Sequence, residues 1–198
     1  NNKSEDPFKD VDSQNISSDS FDTIDIELVD LDNDGFLDVL EVNTGVITSR
    51  ALTYSYNNQS PTSPFNFSGG TSYAFSALKN ATSVTVGDFD KDGDADIVVG
   101  TESDNIYFYL LKLSLNNAHF NWAPIKKPFN ADISAIQSVD VNKDGYSDLI
   151  VSFNDPLKAQ SNITQVYLND RTDYSFIGSL GITVSNSDAS YGSSIAAG

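Results

Sequence analysis

The sequence predicts an all-β fold made of β-propeller blades, each with four short antiparallel strands. Three observations support this class. A unit of about 50–60 residues repeats along the chain, and Asn-, Ser-, Pro- and Gly-rich linkers separate its short apolar runs. The 198 residues include 12 Phe, 9 Tyr and 1 Trp, which favour pleated, half-buried surfaces. No stretch of about ten residues shows a convincing period of 3.6, which argues against helices.

The repeat is visible as three segments that align on one another. They are IELVDLDNDGFLDVLEV from Ile26, VTVGDFDKDGDADIVVG from Val84 and IQSVDVNKDGYSDLIVS from Ile136. Their first aspartates are Asp30, Asp88 and Asp140, at intervals of 58 and 52 residues. Four short strands in a unit of this length are typical of propeller blades.

Each unit is predicted to hold four strands, two of which flank an acidic loop. The strands before the loop are Ile24–Val29, Ser83–Val86 and Ala135–Val139. The strands after it are Leu37–Val42, Ala95–Gly100 and Leu149–Phe153. The third strands are Ala51–Tyr56, Ile106–Leu113 and Thr164–Leu168. The fourth strands, with the weakest pattern, are Phe65–Phe67 or Tyr73–Phe75, Phe120–Ile125 and Tyr174–Ile177.

The units divide most of the chain. Residues 1–20 are polar and are expected to form a flexible arm or the end of a preceding element. Residues 21–198 are expected to form the blades, at about 21–80, 81–131 and 132–190, with 191–198 as the first strand of the next. Because SSIAAG at the end resembles the strand before a loop, we expect a fourth loop one residue later and a longer repeat array.

Charge excludes two classes of function. The 28 acidic and 11 basic residues give a net charge of −17, which argues against nucleic acid as a partner and against anionic membrane surfaces. No run of about 18 apolar residues occurs, so no membrane insertion is expected. The absence of Met indicates a processed product or a fragment. Asn-x-Ser/Thr sequons at five positions indicate either a glycoprotein or chance in so Asn- and Ser-rich a chain: Asn15, Asn58, Asn66, Asn80 and Asn162.

The acidic loops follow the pattern Asp-x-Asp/Asn-x-Asp-Gly-x-x-Asp, which suits calcium. This ion takes about six to eight oxygen ligands, and the glycine allows the sharp turn that brings them together. The predicted side-chain ligands are Asp30, Asp32, Asp34 and Asp38; Asp88, Asp90, Asp92 and Asp96; and Asp140, Asn142, Asp144 and Asp148. The predicted carbonyl ligands are those of Phe36, Asp94 and Tyr146. The third loop has one formal charge less, so it should be the weakest site.

About three structural calcium ions would relieve the repulsion among these carboxylates. The alternative is that the segments are ordinary polar turns, since Asp, Asn and Gly favour turns, but three copies in one strand context make chance a poor explanation. Magnesium is a weaker candidate because it prefers to keep waters in an octahedral shell.

The first loop also fits the EF-hand pattern, because Glu41 stands at its twelfth position. The other loops have Val99 and Val151 there, and the flanking residues favour strands rather than helices. The EF-hand is therefore rejected, and Glu41 is expected to be an outward-facing strand residue.

The repeats resemble the FG-GAP/VCBS repeats of integrin-α-like β-propellers over about residues 21–198. The resemblance is closest at 87–96, and 165–170 and 191–192 also resemble segments of such blades. Val29 and Val139 depart from it, since glycine is common before the loop. The resemblance implies that the cation loop joins the first two strands of a blade. It also implies about seven blades in all, so the remaining blades are expected on the parent chain or a partner chain.

No nucleophile elbow, P-loop or dinucleotide fingerprint occurs in the sequence, so we expect a module that is not an enzyme. The leading hypothesis is a secreted or cell-surface adhesion module that binds a protein or glycan ligand. One alternative is an accessory propeller of a secreted polysaccharide- or lipid-degrading enzyme. Another is a structural subunit of an extracellular fibre or matrix assembly.

Overall fold

The computed structural model describes residues 15–16, 22–44, 52–57, 67, 78, 80–102, 105–114, 117–128, 132–153, 164–171 and 182–184. These residues form three antiparallel sheets and contain no helix. The all-β class and the antiparallel pairing are therefore confirmed.

Each sheet is an up-and-down series of neighbouring strands. Sheet 1 contains β1 (Asp22–Val29), β2 (Asp38–Thr44) and β3 (Leu52–Ser55). Sheet 2 contains β4 (Ala81–Gly87), β5 (Asp96–Thr101), β6 (Asn105–Ser114) and β7 (Asn117–Pro128). Sheet 3 contains β8 (Ile133–Val139), β9 (Asp148–Phe153), β10 (Thr164–Tyr167) and β11 (Ile182–Val184). Strands pair in chain order, so β1, β4 and β8 each lie at one edge.

The first three strands of every unit lie where the sequence predicts them, and β7 matches the predicted fourth strand of the second unit. The fourth strand of sheet 3 is β11, which the sequence analysis did not identify. Tyr174–Ile177 and Tyr73–Phe75 lie outside the described residues, and Phe67 of the remaining segment is not in a strand. Of the proposed arm at 1–20 only 15–16 are described, and 191–198 are not, so these boundaries stay predictions.

Two apolar cores lie between the three sheets, because the side chains of a strand alternate between its faces. One core joins Leu40 and Val42 of sheet 1 to Val84 and Val99 of sheet 2. The opposite face of sheet 2 contributes Val98 to a second core. That core also contains Phe89, Ile133, Ile136, Leu149, Val151 and Phe153. Strand β5 of sheet 2 is thus buried on both faces.

The edge strands β1, β4 and β8 are joined by hydrogen bonds from strand to strand. The Ser83 hydroxyl and the Val84 N–H both donate to Oδ2 of Asp25, each at 2.9 Å. In turn the Ile136 N–H donates to the Ser83 hydroxyl at 3.2 Å. The Ser138 N–H donates to a further side-chain oxygen of β4 at 2.9 Å. Each sheet is therefore fixed in register against the next.

Candidate metal centre

Each acidic loop connects the first strand of its sheet to the second. Loop 1 (residues 30–38) joins β1 to β2, loop 2 (88–96) joins β4 to β5, and loop 3 (140–148) joins β8 to β9. We number the residues of each loop from position 1 to position 9. Gly35, Gly93 and Gly145 at position 6 have φ of +88°, +93° and +87°. The sharp turn predicted at the glycine is therefore present in all three loops.

The carboxylate at position 9 closes each loop. Asp38, Asp96 and Asp148 are at most 1% exposed. Each accepts a hydrogen bond on Oδ2 from the backbone N–H at position 2, at 2.9–3.0 Å. This bond ties the end of the loop to its beginning and aims a buried carboxylate into the turn.

Two of the loops bring three carboxylates together. Among the described residues, two groups of acids have ligand atoms within 4.8 Å of one another, and each group consists of positions 1, 3 and 9. The groups are Asp30, Asp32 and Asp38 in loop 1, and Asp88, Asp90 and Asp96 in loop 2. Both clusters could hold a metal ion, because carboxylates converging at this distance are the ligands that hard divalent cations prefer.

Loop 2 leaves carboxylate oxygens without a donor. Oδ1 of Asp88 and Oδ1 of Asp96 are buried and lack a hydrogen-bond partner, and no other side-chain atom of the described residues does so. In loop 1 the same oxygen of Asp30 accepts the Asp34 N–H at 3.1 Å. A buried acceptor without a donor is costly by about 1–3 kcal/mol, and a bound cation would remove that cost. The residues of loop 2 therefore fit a divalent cation.

Desolvation reinforces this conclusion. Burial, with smaller contributions from the neighbouring carboxylates of the loop, raises the pKa of Asp96 to about 8. Burial also raises the pKa of Asp38 to about 6. Two backbone hydrogen bonds to Asp38 oppose that rise, whereas one opposes it at Asp96. Without a cation, the ionised form of the position 9 carboxylate is thus less stable in loop 2 than in loop 1.

An asparagine two residues after the third strand explains why both oxygens of the position 9 carboxylate accept hydrogen bonds in loops 1 and 3. The Asn57 N–H donates to Oδ1 of Asp38 at 2.7 Å, and the Asn169 N–H donates to Oδ1 of Asp148 at 2.8 Å. The register places Leu111 at the equivalent point of sheet 2. There β6 continues as a strand through residue 114. Among the described residues, no donor reaches Oδ1 of Asp96, the oxygen that corresponds to those held by Asn57 and Asn169.

Loop 3 is the most different of the three. Its Asn142 donates from Nδ2 to Oδ2 of Asp144 at 3.2 Å, where the other loops have a second carboxylate oxygen at position 3. The Arg171 guanidinium lies 2.8 Å from the same Oδ2. The hydrogen bond from Arg171 is the main reason that the pKa of Asp144 is lowered.

Neighbouring loops touch through position 4. In loop 1 the Asn33 side chain donates from Nδ2 to Oδ1 of Asp94 in loop 2 at 2.8 Å. In loop 2 the equivalent residue is Lys91, whose Nζ lies 5.2 Å from the centre of the Tyr146 ring in loop 3. A neutral amide therefore reaches loop 2, whereas a cation reaches loop 3.

Position 2 carries an apolar side chain that points toward the following sheet. Leu31 is fully buried in the core between sheets 1 and 2, and Phe89 is 2% exposed in the core between sheets 2 and 3. Val141 of loop 3 is 45% exposed. The core thus helps to fix the shape of loops 1 and 2 but not that of loop 3.

A separate polar cavity of about 190 Å³ lies between β1, β4 and β8. Asp25, Glu27, Ser83 and Gln137 are among its lining residues, and none of the loop residues lines it. Burial raises the pKa of Glu27, with a smaller contribution from Asp25. This cavity is distinct from the acidic loops.

The predicted site residues fall into two groups in the structure. Positions 1, 3 and 9 come together in loops 1 and 2. Position 5 accepts the N–H of position 7 in every loop, at 2.9–3.0 Å. The cation contacts predicted for position 5 and for the carbonyls of Phe36, Asp94 and Tyr146 stay predictions.

Sequence reasoning missed the second layer of the site, which comprises Asn33, Asn57, Lys91, Asn169 and Arg171. A signal was present for the two asparagines Asn57 and Asn169, because each follows the third strand of its unit at the same distance.

Glu41 lies on the face of sheet 1 opposite the core, since it alternates with Leu40 and Val42. It is nevertheless 8% exposed and accepts a hydrogen bond from the Thr53 hydroxyl at 3.1 Å, so it is buried rather than solvent-facing.

The fold and the loops define an all-β repeat protein with an acidic turn between the first two strands of each repeat. The FG-GAP-like repeat family matches the chain twice, at residues 46–99 and 90–151. These residues make up more than half of the sequence, and the chain belongs to this family.

No curated protein sequence matches the chain. FG-GAP repeats are typical of integrin-like extracellular β-propellers, and they often bind calcium. None of the described residues forms a helix long and apolar enough to cross a lipid bilayer.

Proposed function

We propose that this chain is a calcium-binding part of an extracellular β-propeller and serves as a non-catalytic adhesion or ligand-binding module. The observation that carries the proposal is the pair of buried carboxylate oxygens without donors in loop 2, on Asp88 and Asp96. They face a turn that already holds a third carboxylate within 4.8 Å.

Calcium is the cation that best suits these loops. Carboxylates at positions 1, 3, 5 and 9 of loops 1 and 2 offer enough oxygens for a shell of about six to eight ligands, and the chain contains no Cys or Met to supply a sulfur ligand. The ion would have a structural role. It would join the end of the first strand to the start of the second in the same sheet.

Calcium binding is tested by titrating chelator-treated protein with CaCl₂ in a calorimeter and by following thermal unfolding at each concentration. We expect saturable binding and a rise in unfolding temperature, with dissociation constants of about 10⁻⁴–10⁻³ M, as in extracellular modules. MgCl₂ at equal concentration should give a smaller rise. Absence of both heat and stabilisation at about 10 mM calcium would reject the proposal, since that exceeds the upper dissociation constant.

The ligand is proposed to be a protein or a glycan, because that is the role typical of integrin-like extracellular propellers. Binding to arrays of extracellular proteins and of glycans, with calcium and then with a chelator, tests this part. We expect at least one ligand to bind reproducibly and to be lost on chelation. Turnover of a polysaccharide or lipid without any bound ligand would instead favour the enzyme-accessory alternative.

Exposed apolar side chains at both ends of the sheet row favour a contact with further repeats. Ile26 and Leu28 of β1 are 55% and 57% exposed, and Val84 and Val86 occupy the equivalent positions of β4, where they pack against the core with sheet 1. At the other end Val141 is exposed where Leu31 and Phe89 are covered. We propose that sheets of the same family, on the parent chain or a partner chain, cover these faces.

This contact also supports the second candidate function, a structural subunit of an extracellular assembly. Sedimentation at rising concentration tests it with Leu28→Asp and the control Leu37→Asp, since these leucines are 57% and 55% exposed but only Leu28 is in β1. We expect self-association that Leu28→Asp abolishes and Leu37→Asp preserves. A monomer at all concentrations would contradict an assembly built from copies of this chain alone.

A further inference from the structure

Every carboxylate oxygen at positions 1, 5 and 9 of loop 3 already has a donor. The Asp144 and Gly145 N–H groups donate to the two oxygens of Asp140, at 3.0 and 2.8 Å. The Val141 and Asn169 N–H groups donate to the two oxygens of the position 9 aspartate, at 3.0 and 2.8 Å. Loop 3 therefore lacks the donor-free oxygens that make loop 2 fit a cation.

At position 5 the donors include a cation. Oδ1 of Asp144 accepts the Tyr146 N–H at 2.9 Å, whereas Oδ2 accepts Arg171 at 2.8 Å and Nδ2 of Asn142 at 3.2 Å. The guanidinium carbon also lies 5.2 Å from the centre of the Tyr146 ring, which suits a planar cation over an aromatic face. Arg171 thus binds the oxygen of Asp144 that does not accept the backbone N–H of position 7.

The backbone of Arg171 is fixed by its neighbour. The Arg171 N–H donates to Oδ1 of Asn169 at 3.0 Å. Asn169 is itself buried and donates from Nδ2 to the carbonyls of Phe89 at 2.8 Å and Ser147 at 3.2 Å. The backbone of Arg171 is therefore held by Asn169, which contacts both loop 2 and loop 3.

A second cation lies where loop 2 contacts loop 3. Lys91 of loop 2 has its Nζ 5.2 Å from the Tyr146 ring centre, and a Cβ placed on Gly145 would lie 3.2 Å from that Nζ. With three carboxylates in the loop, Arg171 and Lys91 offset much of the negative charge that calcium offsets in the proposal for loops 1 and 2.

We propose that Arg171 is the resident cation of loop 3, so that this loop keeps its shape without a metal and the chain takes up calcium in loops 1 and 2 only. The calcium count rests on the proposed function, whereas the metal-independent shape of loop 3 does not. The count of two replaces the sequence-based expectation of about three.

Amide exchange measured residue by residue by NMR tests the proposal in chelator. The Asp144, Gly145 and Tyr146 amides should be protected in the wild type without calcium. Arg171→Gln should raise their exchange rates by about two- to fivefold, the range expected for an exposed ion pair. Lys143→Gln is the matched control, because it removes an exposed cation of the same loop for which the structure gives no ion pair.

Calcium addition separates this proposal from the proposed function. We expect the Gly93 amide of loop 2 to respond to calcium and the Gly145 amide of loop 3 to stay unchanged. If Gly93 also fails to respond, calcium binding is rejected while the Arg171 result still stands. If Gly145 responds as strongly as Gly93, or if Arg171→Gln leaves loop 3 exchange unchanged, the resident-cation proposal is overturned.

A gain-of-site variant completes the test. Arg171→Gln combined with Asn142→Asp gives loop 3 a free position 5 oxygen and a carboxylate at position 3. The double variant should bind one more calcium per chain than the wild type by calorimetry. An unchanged count would show that Arg171 is not what keeps calcium from the loop, and would overturn that part of the proposal.

Discussion

Loops 2 and 3 have the same length, the same turn and the same closing carboxylate. They differ in how the surrounding residues stabilise the negative charge of the loop. Loop 2 contains five carboxylates and leaves two buried oxygens without donors. Loop 3 contains three carboxylates, and Arg171 and Lys91 approach it from outside. The pKa of Asp96 in loop 2 is raised by burial, whereas that of Asp144 in loop 3 is lowered mainly by Arg171.

The difference shows that the loop pattern defines the shape of the turn. The residues around the loop determine whether hydrogen-bond donors, a side-chain cation or a metal ion would stabilise its carboxylates. In all three loops, backbone N–H groups donate to the carboxylates at positions 1, 5 and 9. The residues that differ come from other strands and loops, at Leu111, Lys91 and Arg171. Two copies of one sequence pattern can therefore depend on different cations.

The largest expected effect is a difference in calcium-dependent stability between variants of the position 9 aspartates of loops 2 and 3. Asp96→Asn should remove the part of the calcium-dependent stabilisation that comes from loop 2, which amounts to about 2.7 kcal/mol for one site at calcium 100-fold above the dissociation constant. Asp148→Asn should lower stability because one backbone N–H loses its acceptor, but it should leave the calcium-dependent part intact. Urea unfolding with calcium and with chelator measures both. Equal loss of the calcium effect in the two variants would contradict the comparison.

The next effect concerns the close approach of sheets 2 and 3 beside these loops. A Cβ placed on Gly87 would lie 2.8 Å from Oγ of Ser147 and 2.5 Å from Oγ of Ser138. Gly87→Val should destabilise the protein by about 1–3 kcal/mol, because the added methyl groups force the sheets apart. Gly87→Ala should have a smaller effect, since serine hydroxyls can rotate away. Unfolding in urea gives both values, and a fully stable valine variant would show that the sheets are not held this closely.

The pH dependence of the calcium-free protein is the third expectation. The pKa of Asp96 is raised to about 8, so the folded state holds a proton that the unfolded state releases near pH 4. Stability should therefore be fully present below about pH 4 for this group, fall as pH rises, and be lost above about pH 8. Asp96→Asn should flatten this profile. A profile that rises from pH 5 to pH 8 in chelator would contradict the assignment.

The smallest effect is expected at the contact between the loops. Lys91→Gln removes the charge near the Tyr146 ring and should destabilise the protein by about 0.5–1 kcal/mol, as an exposed cation over an aromatic ring does. The effect should shrink at high salt. Asn33→Ala, which removes the neutral contact between loops 1 and 2, is the matched control and should show less salt dependence. Equal salt dependence in the two variants would argue against a role for the charge of Lys91.

Much of the fold could be predicted from the sequence because its signals are local. The short apolar runs on either side of each loop predict the strands β1, β2, β4, β5, β8 and β9. Glycine at position 6 predicts the positive φ that the structure has, since other residues pay a steric cost there. The strand β11 was not predicted, because Ile182–Val184 is too short to show a period.

The acidic turns, their spacing and their carboxylates were therefore determined by the sequence alone, through residue types at fixed neighbouring positions. Tertiary structure decided which carboxylates are left without a donor and which face a cation. Arg171 lies 27 residues from Asp144, and Lys91 lies in a different repeat from Tyr146. Electrostatic and hydrogen-bond energies depend on distance in space. The pairing of β9 with β10 brings Arg171 to loop 3, and the packing of sheet 2 against sheet 3 brings Lys91 to Tyr146.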